Sequence, residues 1–161
     1  MKVFITDLNT ICNWDDLVNK LPGPDLTKYK SFRREIRAKQ FLVAHNIQNQ
    51  IQNIFKYTSI AHKDNIVIVA ASNGPIGVDI EDASVPRDFE TISEFMNFHN
   101  VKNSSDFYRA FTLYEAKYKT PVPGPLHERF YKIGTYMICI ISNETLTAPE
   151  WANPELIPEQ I

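Results

Sequence analysis

Between residues 31 and 55 the chain carries neither glycine nor proline, while Ile36, Val43, Ile47, Ile51 and Phe55 recur at close to helical spacing. A stretch with that period and no breaker reads as one long amphipathic helix, whose apolar face needs another layer to cover it. Three strand-length runs follow directly. Residues 57–62, 65–71 and 76–81 read as strands, parted by the polar pair Lys63-Asp64 and by Ser72-Asn73-Gly74-Pro75. A long helix beside several short strands makes the expected class α+β.

The remaining elements fit that class. Residues 2–8 form a first strand, and Asn13 caps a short helix that starts at Trp14 with Asp15 and Asp16 in its first turn. Leu21-Pro22-Gly23-Pro24 breaks it. Helices are expected over 88–97 and, with Ser104 or Ser105 as cap, up to residue 119. The second ends at Thr120-Pro121-Val122-Pro123-Gly124-Pro125, because no helix passes so many prolines. Residues 129–133 and 136–142 read as a hairpin around Gly134, with 145–148 an edge strand and the segment from Pro149 onward extended on the surface. There is no fixed-period repeat.

A chain of 161 residues makes one compact domain or two very small ones sharing a core. With 43% hydrophobic and 22% charged residues it has the make-up of a folded globular protein, so disorder is excluded for the bulk. A net charge of −2 provides no global field for nucleic acid. Cys12 and Cys139 each sit in an apolar run, which argues against a disulfide framework or thiolate metal site and for a reducing, cytoplasmic setting. The N-terminus lacks the apolar core and cleavage site of a signal peptide. The longest apolar runs, 66–71 and 136–141, are far shorter than the ~20 residues of a membrane span.

Gly77-Val78-Asp79-Ile80-Glu81 is the most informative stretch for chemistry. In a strand Val78 and Ile80 point into a core, and Asp79 and Glu81 point together to the opposite face. Two carboxylates about 7 Å apart on one face make a hard oxygen site of the kind Mg²⁺ prefers, or an exposed edge with solvated acids. On the last long helix Phe111, Glu115 and Lys119 are spaced i, i+4, i+8, which raises a ring, a carboxylate and an ammonium along one face. Glu115 there is either a third carboxylate of the metal site and a base, or half of an ordinary surface pair. His62 ends a strand a short way upstream of Asp79, and Arg33, Arg34, Arg37 and Lys39 form a basic cluster at the start of the first long helix. No phosphate-binding glycine loop, dinucleotide fingerprint or metal-binding histidine pair occurs.

Taken in order, Ser59-Ile60-Ala61-His62, the run 66–71, Gly77-Val78-Asp79-Ile80-Glu81 and Phe111-Thr112-Leu113-Tyr114-Glu115-Ala116-Lys117-Tyr118-Lys119 resemble the 4′-phosphopantetheinyl transferases of the surfactin-synthetase type. The resemblance covers roughly residues 31–119 and extends less distinctly to about 142. It implies a fold of two small similar α/β halves packed as a pseudo-dimer, 1–74 and 75–161, with the boundary near residues 73–76 and the site in the cleft between them. It also implies Asp79, Glu81 and Glu115 as Mg²⁺ ligands, Lys119 as a phosphate contact, Glu115 as the base, and His62 and Arg37 as contacts to coenzyme A. The implied reaction moves the phosphopantetheine arm of coenzyme A to a serine of an acyl or peptidyl carrier protein and releases adenosine 3′,5′-bisphosphate. A monomer that acts on such a carrier is the expected state. Tyr114 stands where the family usually has lysine, Phe111 where it has tryptophan and His45 where it tends to have arginine, and no Gly-Lys-Pro segment lies between His45 and Ser59. These departures motivate the alternative of a shortened homologue that binds a carrier protein or nucleotide without catalysis.

Overall fold

In a computed structural model, residues 1–120, 126–144 and 150–151 are described. Strand β1 (Lys2–Asp7) leads through a 3-10 turn at Leu8–Thr10 into helices α1 (Trp14–Asn19), α2 (Gly23–Ser31) and α3 (Glu35–Ile51), then the hairpin β2 (Tyr57–Lys63) and β3 (Ile66–Ser72). Strand β4 (Ile76–Asp82) follows, then helices α4 (Phe89–Phe95) and α5 (Ser104–Tyr118), the hairpin β5 (His127–Ile133) and β6 (Tyr136–Ser142), and a two-residue β7 (Glu150–Trp151). The mixed α+β class expected from the sequence is the one observed.

The two sheets repeat one connectivity. In the first, β3 lies between its hairpin partner β2 and the leading strand β1, all antiparallel, and β7 extends the β1 edge in parallel. In the second, β6 lies between its hairpin partner β5 and the leading strand β4, again antiparallel. Each half therefore runs strand, helices, hairpin, with the last strand of the hairpin in the centre.

Side-chain alternation then stacks the layers. On β1 and β3, Phe4, Val67, Val69 and Ala71 pack under α1 and α3 with Leu17, Leu42, Val43, Ile47 and Ile51. Their alternates Val3, Ile5, Ile66, Ile68 and Ala70 meet Ile76, Val78, Ile80, Ile138 and Ile140 of the second sheet in a core between the sheets. On the far side Cys139 and Ile141 pack against Ala116 of α5. Strands β3 and β6 are thus apolar on both faces, which is why their sequences show almost no polar alternation. Beyond the apolar contact, the Val78 N–H donates to Ser59 Oγ at 3.1 Å and joins β4 to β2 across the seam.

The expected helix over 31–55 is split. Phe32 and Arg34 have extended backbone, and α3 begins only at Glu35. Pro22, Gly23 and Pro24 end α1 as expected but also start α2, since proline is tolerated in the first turn, where its missing N–H has no helical partner anyway. The cap of α5 is Asn103, whose side chain accepts from the Asp106 N–H, not Ser104 or Ser105. The proposed edge strand at 145–148 and the prolines at 121–125 lie outside the described residues, as does the chain from 152 onward. Among the described residues no helix is long and apolar enough to cross a membrane.

Candidate active site

Strand β4 turns Ile76, Val78 and Ile80 into the core between the sheets, as its period requires. Gly77, Asp79 and Glu81 consequently share the face that meets α5. Gly77 is what lets the helix come down: a Cβ there would run into the Ala116 carbonyl and Thr120 Oγ1. With glycine in that place, the C-terminal end of α5 rests on the strand and carries Lys119 to Asp79.

Asp79 is only 5% exposed, yet it is the carboxylate nearest the centre of the site. Its Oδ1 accepts from Lys119 Nζ at 2.7 Å, and its Oδ2 is buried with no hydrogen-bond partner among the described residues. Burial raises its pKa from 3.8 to about 6, against the pull of Lys119 and with a further push from Glu81 and Glu115. Glu115, half-buried on α5, is therefore close enough to be felt at Asp79. Glu81 Oε2 accepts from Lys63 Nζ at 3.0 Å and from Arg87 at 3.1 Å. Asp79 and Glu81 thus face three cations, Lys119, Lys63 and Arg87.

Lys119, expected to meet phosphate, has Asp79 as its partner. Among the described residues no group of three or more His, Cys, Asp or Glu side chains is already assembled to hold a metal. The donor chemistry nonetheless suits a hard cation at one point, the orphaned Oδ2 of Asp79, because an unpartnered buried carboxylate oxygen is unfavourable until something positive meets it.

Arg37 and His62 meet as well. The Arg37 guanidinium lies 2.8 and 3.1 Å from Nδ1 and Nε2 of His62. Burial, then the Arg37 charge and, more weakly, the Lys119 charge hold the His62 pKa below its usual range, so at neutral pH the ring is an acceptor. The two residues line a cavity of about 200 Å³ with Phe32, Gln40, Phe41 and His45. Phe41 and His45 stack with centroids 3.8 Å apart, and His45 Nδ1 lies 3.3 Å from Asp25 Oδ2. Lys119 bears electrostatically on both Asp79 and His62. Arg37, His62, Asp79, Glu81, Glu115 and Lys119 are all in this neighbourhood.

Other expectations resolve differently. Lys39 of the basic cluster pairs with Glu35 at 2.7 Å and lies over the Trp14 ring, while Arg33 and Arg34 are exposed. Phe111 lies under the guanidinium of Arg87, 5.4 Å from ring to Cζ. Lys63, Arg87 and Gln40 were not legible as site residues. Lys63 reads as the polar end of a hairpin, and Arg87 lies in an irregular loop where nothing in the spacing aims it at Glu81. No protein-family model and no curated protein matches the chain.

Proposed function

We propose that the chain is a magnesium-dependent 4′-phosphopantetheinyl transferase that moves the phosphopantetheine arm of coenzyme A onto a serine of an acyl or peptidyl carrier protein. The observation that carries this reading is the buried Asp79 carboxylate, with one oxygen on Lys119 and the other unpartnered among the described residues, within electrostatic reach of Glu115, while Lys119 also bears on His62 of the Arg37–His62 cavity. The repeated strand–helices–hairpin connectivity of the two sheets supports the pseudo-dimer fold that goes with it, with halves 1–74 and 75–161. Residues from both halves complete the site, which suits action as a monomer, and two free cysteines suit the cytoplasm.

The chemistry divides among the side chains. Asp79 and Glu115 would hold the cation, with Glu81 beside them once Lys63 or Arg87 yields. Mg²⁺ when bound neutralises the oxygens of a pyrophosphate linkage. Arg37 and His62 receive anionic and polar groups of coenzyme A, and Lys119, released from Asp79, meets the phosphate charge. Glu115 takes the proton from the incoming serine hydroxyl. The new serine O–P bond forms as the P–O bond to the other phosphate breaks, and adenosine 3′,5′-bisphosphate leaves.

The ion pairs of Asp79 with Lys119 and of Glu81 with Lys63 and Arg87 favour a second reading, a homologue that binds a carrier protein or nucleotide without turnover. Labelled coenzyme A, Mg²⁺ and a panel of apo carrier proteins, followed by the intact mass of each carrier, separate the two. Transfer that disappears in Asp79→Ala and Glu115→Ala is the expected result. Undiminished transfer by either variant refutes the assignment, and calorimetric binding of coenzyme A with every carrier unmodified establishes the second reading.

A further inference from the structure

On the reading above the cavity would receive an anion through Arg37, a long side chain near the start of α3 that faces solvent. Fixing such a side chain costs rotamer freedom unless something already holds it. Gln40, one turn on, is only 3% exposed. A buried carboxamide is tolerated when both its ends are partnered. Its Oε1 accepts from Arg37 at 3.0 Å, and its Nε2 donates to the Asp64 carbonyl at 2.7 Å. The opposite flip would set an N–H against the guanidinium and an oxygen against a carbonyl, so the partners determine the orientation. Asp64 lies in the β2–β3 turn with φ 49°, two residues beyond His62. Gln40 thereby ties the helix that carries Arg37 to the hairpin that carries His62.

We propose that Gln40 is a positioning residue for this end of the cavity: it holds the Arg37 guanidinium against His62, so that the two present one preformed contact to a phosphate-bearing ligand. That ligand is coenzyme A on the reading above, and the proposal rests on that reading for its ligand. Gln40 acts through Arg37 and leaves the carboxylate site untouched.

The test is a double-mutant cycle on coenzyme A affinity by calorimetry, joined to an NMR titration of His62 in the ligand-free protein. Gln40→Met and Arg37→Ala are each expected to raise Kd roughly tenfold. The double variant should bind no more weakly than Arg37→Ala alone, because both changes remove the same held guanidinium. Gln40→Glu keeps an acceptor toward Arg37 but sets its second oxygen against the Asp64 carbonyl, so its Kd should fall between those of wild type and Arg37→Ala, and a penalty larger than that of Arg37→Ala overturns the proposal even where Gln40→Met folds poorly. Arg37 on α3 and Lys119 on α5 are the cations that depress His62, and loss of the first should let His62 titrate higher in Gln40→Met as it does in Arg37→Ala. An unmoved His62, or a Gln40→Met penalty that persists in full on the Arg37→Ala background, overturns the proposal. Failure of the wild type to bind coenzyme A overturns the transfer reading instead, and the His62 titration then judges Gln40 without it.

Discussion

Replacing Asp79 by asparagine should make the metal-free protein more stable while destroying its function. Burial holds the Asp79 carboxyl at a pKa of about 6 in the folded chain, against 3.8 for an ordinary aspartate. Between those two values the folded state binds more protons than the unfolded state, so stability falls as pH rises through the window and stays reduced above it. The difference corresponds to about 3 kcal/mol at neutral pH. Asparagine keeps the shape, and its oxygen can still accept from Lys119 Nζ, which lies 2.7 Å from Oδ1 in the wild type. Urea or thermal unfolding in EDTA should therefore give Asp79→Asn about 3 kcal/mol over wild type at pH 7.5, on the order of 6–12 °C in Tm for a domain of this size. Near pH 4 the two proteins should differ little. Millimolar Mg²⁺ should reverse the ranking in part, since a ligand at ten times its Kd adds about 1.4 kcal/mol to wild type alone. A variant less stable than wild type at pH 7.5 in EDTA, or an advantage that does not change with pH, would show that the buried carboxylate is not the strained group inferred here.

Three further outcomes follow from single contacts. Gly77→Ala should lower stability by about 1–3 kcal/mol and abolish coenzyme A transfer together, because the clash with the Ala116 carbonyl is with backbone and α5 must lift off β4; a melt indistinguishable from wild type counts against that packing. Native protein should react with a thiol reagent at Cys12 only, since Cys139 is buried with its pKa pushed up to about 12, and Cys12→Ser should leave no reactive thiol until the chain is unfolded. Asn103→Ala should cost about 1 kcal/mol in chemical denaturation by removing the acceptor for the Asp106 N–H at the start of α5, and a loss no larger than experimental scatter would place the helix signal elsewhere.

Strands and their faces were legible from sequence because they depend on period alone. Val78 and Ile80 inward with Asp79 and Glu81 opposite follows from alternation, and the core contacts of β4 bear out the inward pair. The split between α2 and α3 was not legible, since nothing in the composition of residues 31–35 marks Phe32 and Arg34 as extended. The partners of the site charges were hidden for a related reason. Which cation reaches Glu81 depends on the path of the loop after β4 and on how two sheets meet, and both are tertiary facts. Gln40 shows the same limit in another form: a buried glutamine on a helix looks in sequence like any polar residue until its two partners are known.

The charges of the site are also the ties of the seam. Lys63 belongs to the first sheet and Glu81 to the second, and their contact at 3.0 Å joins the halves close to where Ser59 Oγ accepts from the Val78 N–H. Tyr136 of the second sheet donates to Asp64 of the β2–β3 turn at 3.2 Å, and the same residue's carbonyl anchors Gln40. One hairpin turn thus links the second sheet to the residue that aims Arg37. A ligand that draws Lys63 from Glu81 therefore alters how the halves are held, while the apolar core between the sheets keeps them together. Each half alone would expose one side of that core and would keep only some of the site residues, with Arg37 and His62 on the first and Asp79, Glu81, Glu115 and Lys119 on the second. Burial of the seam consequently brings the two groups of site residues together.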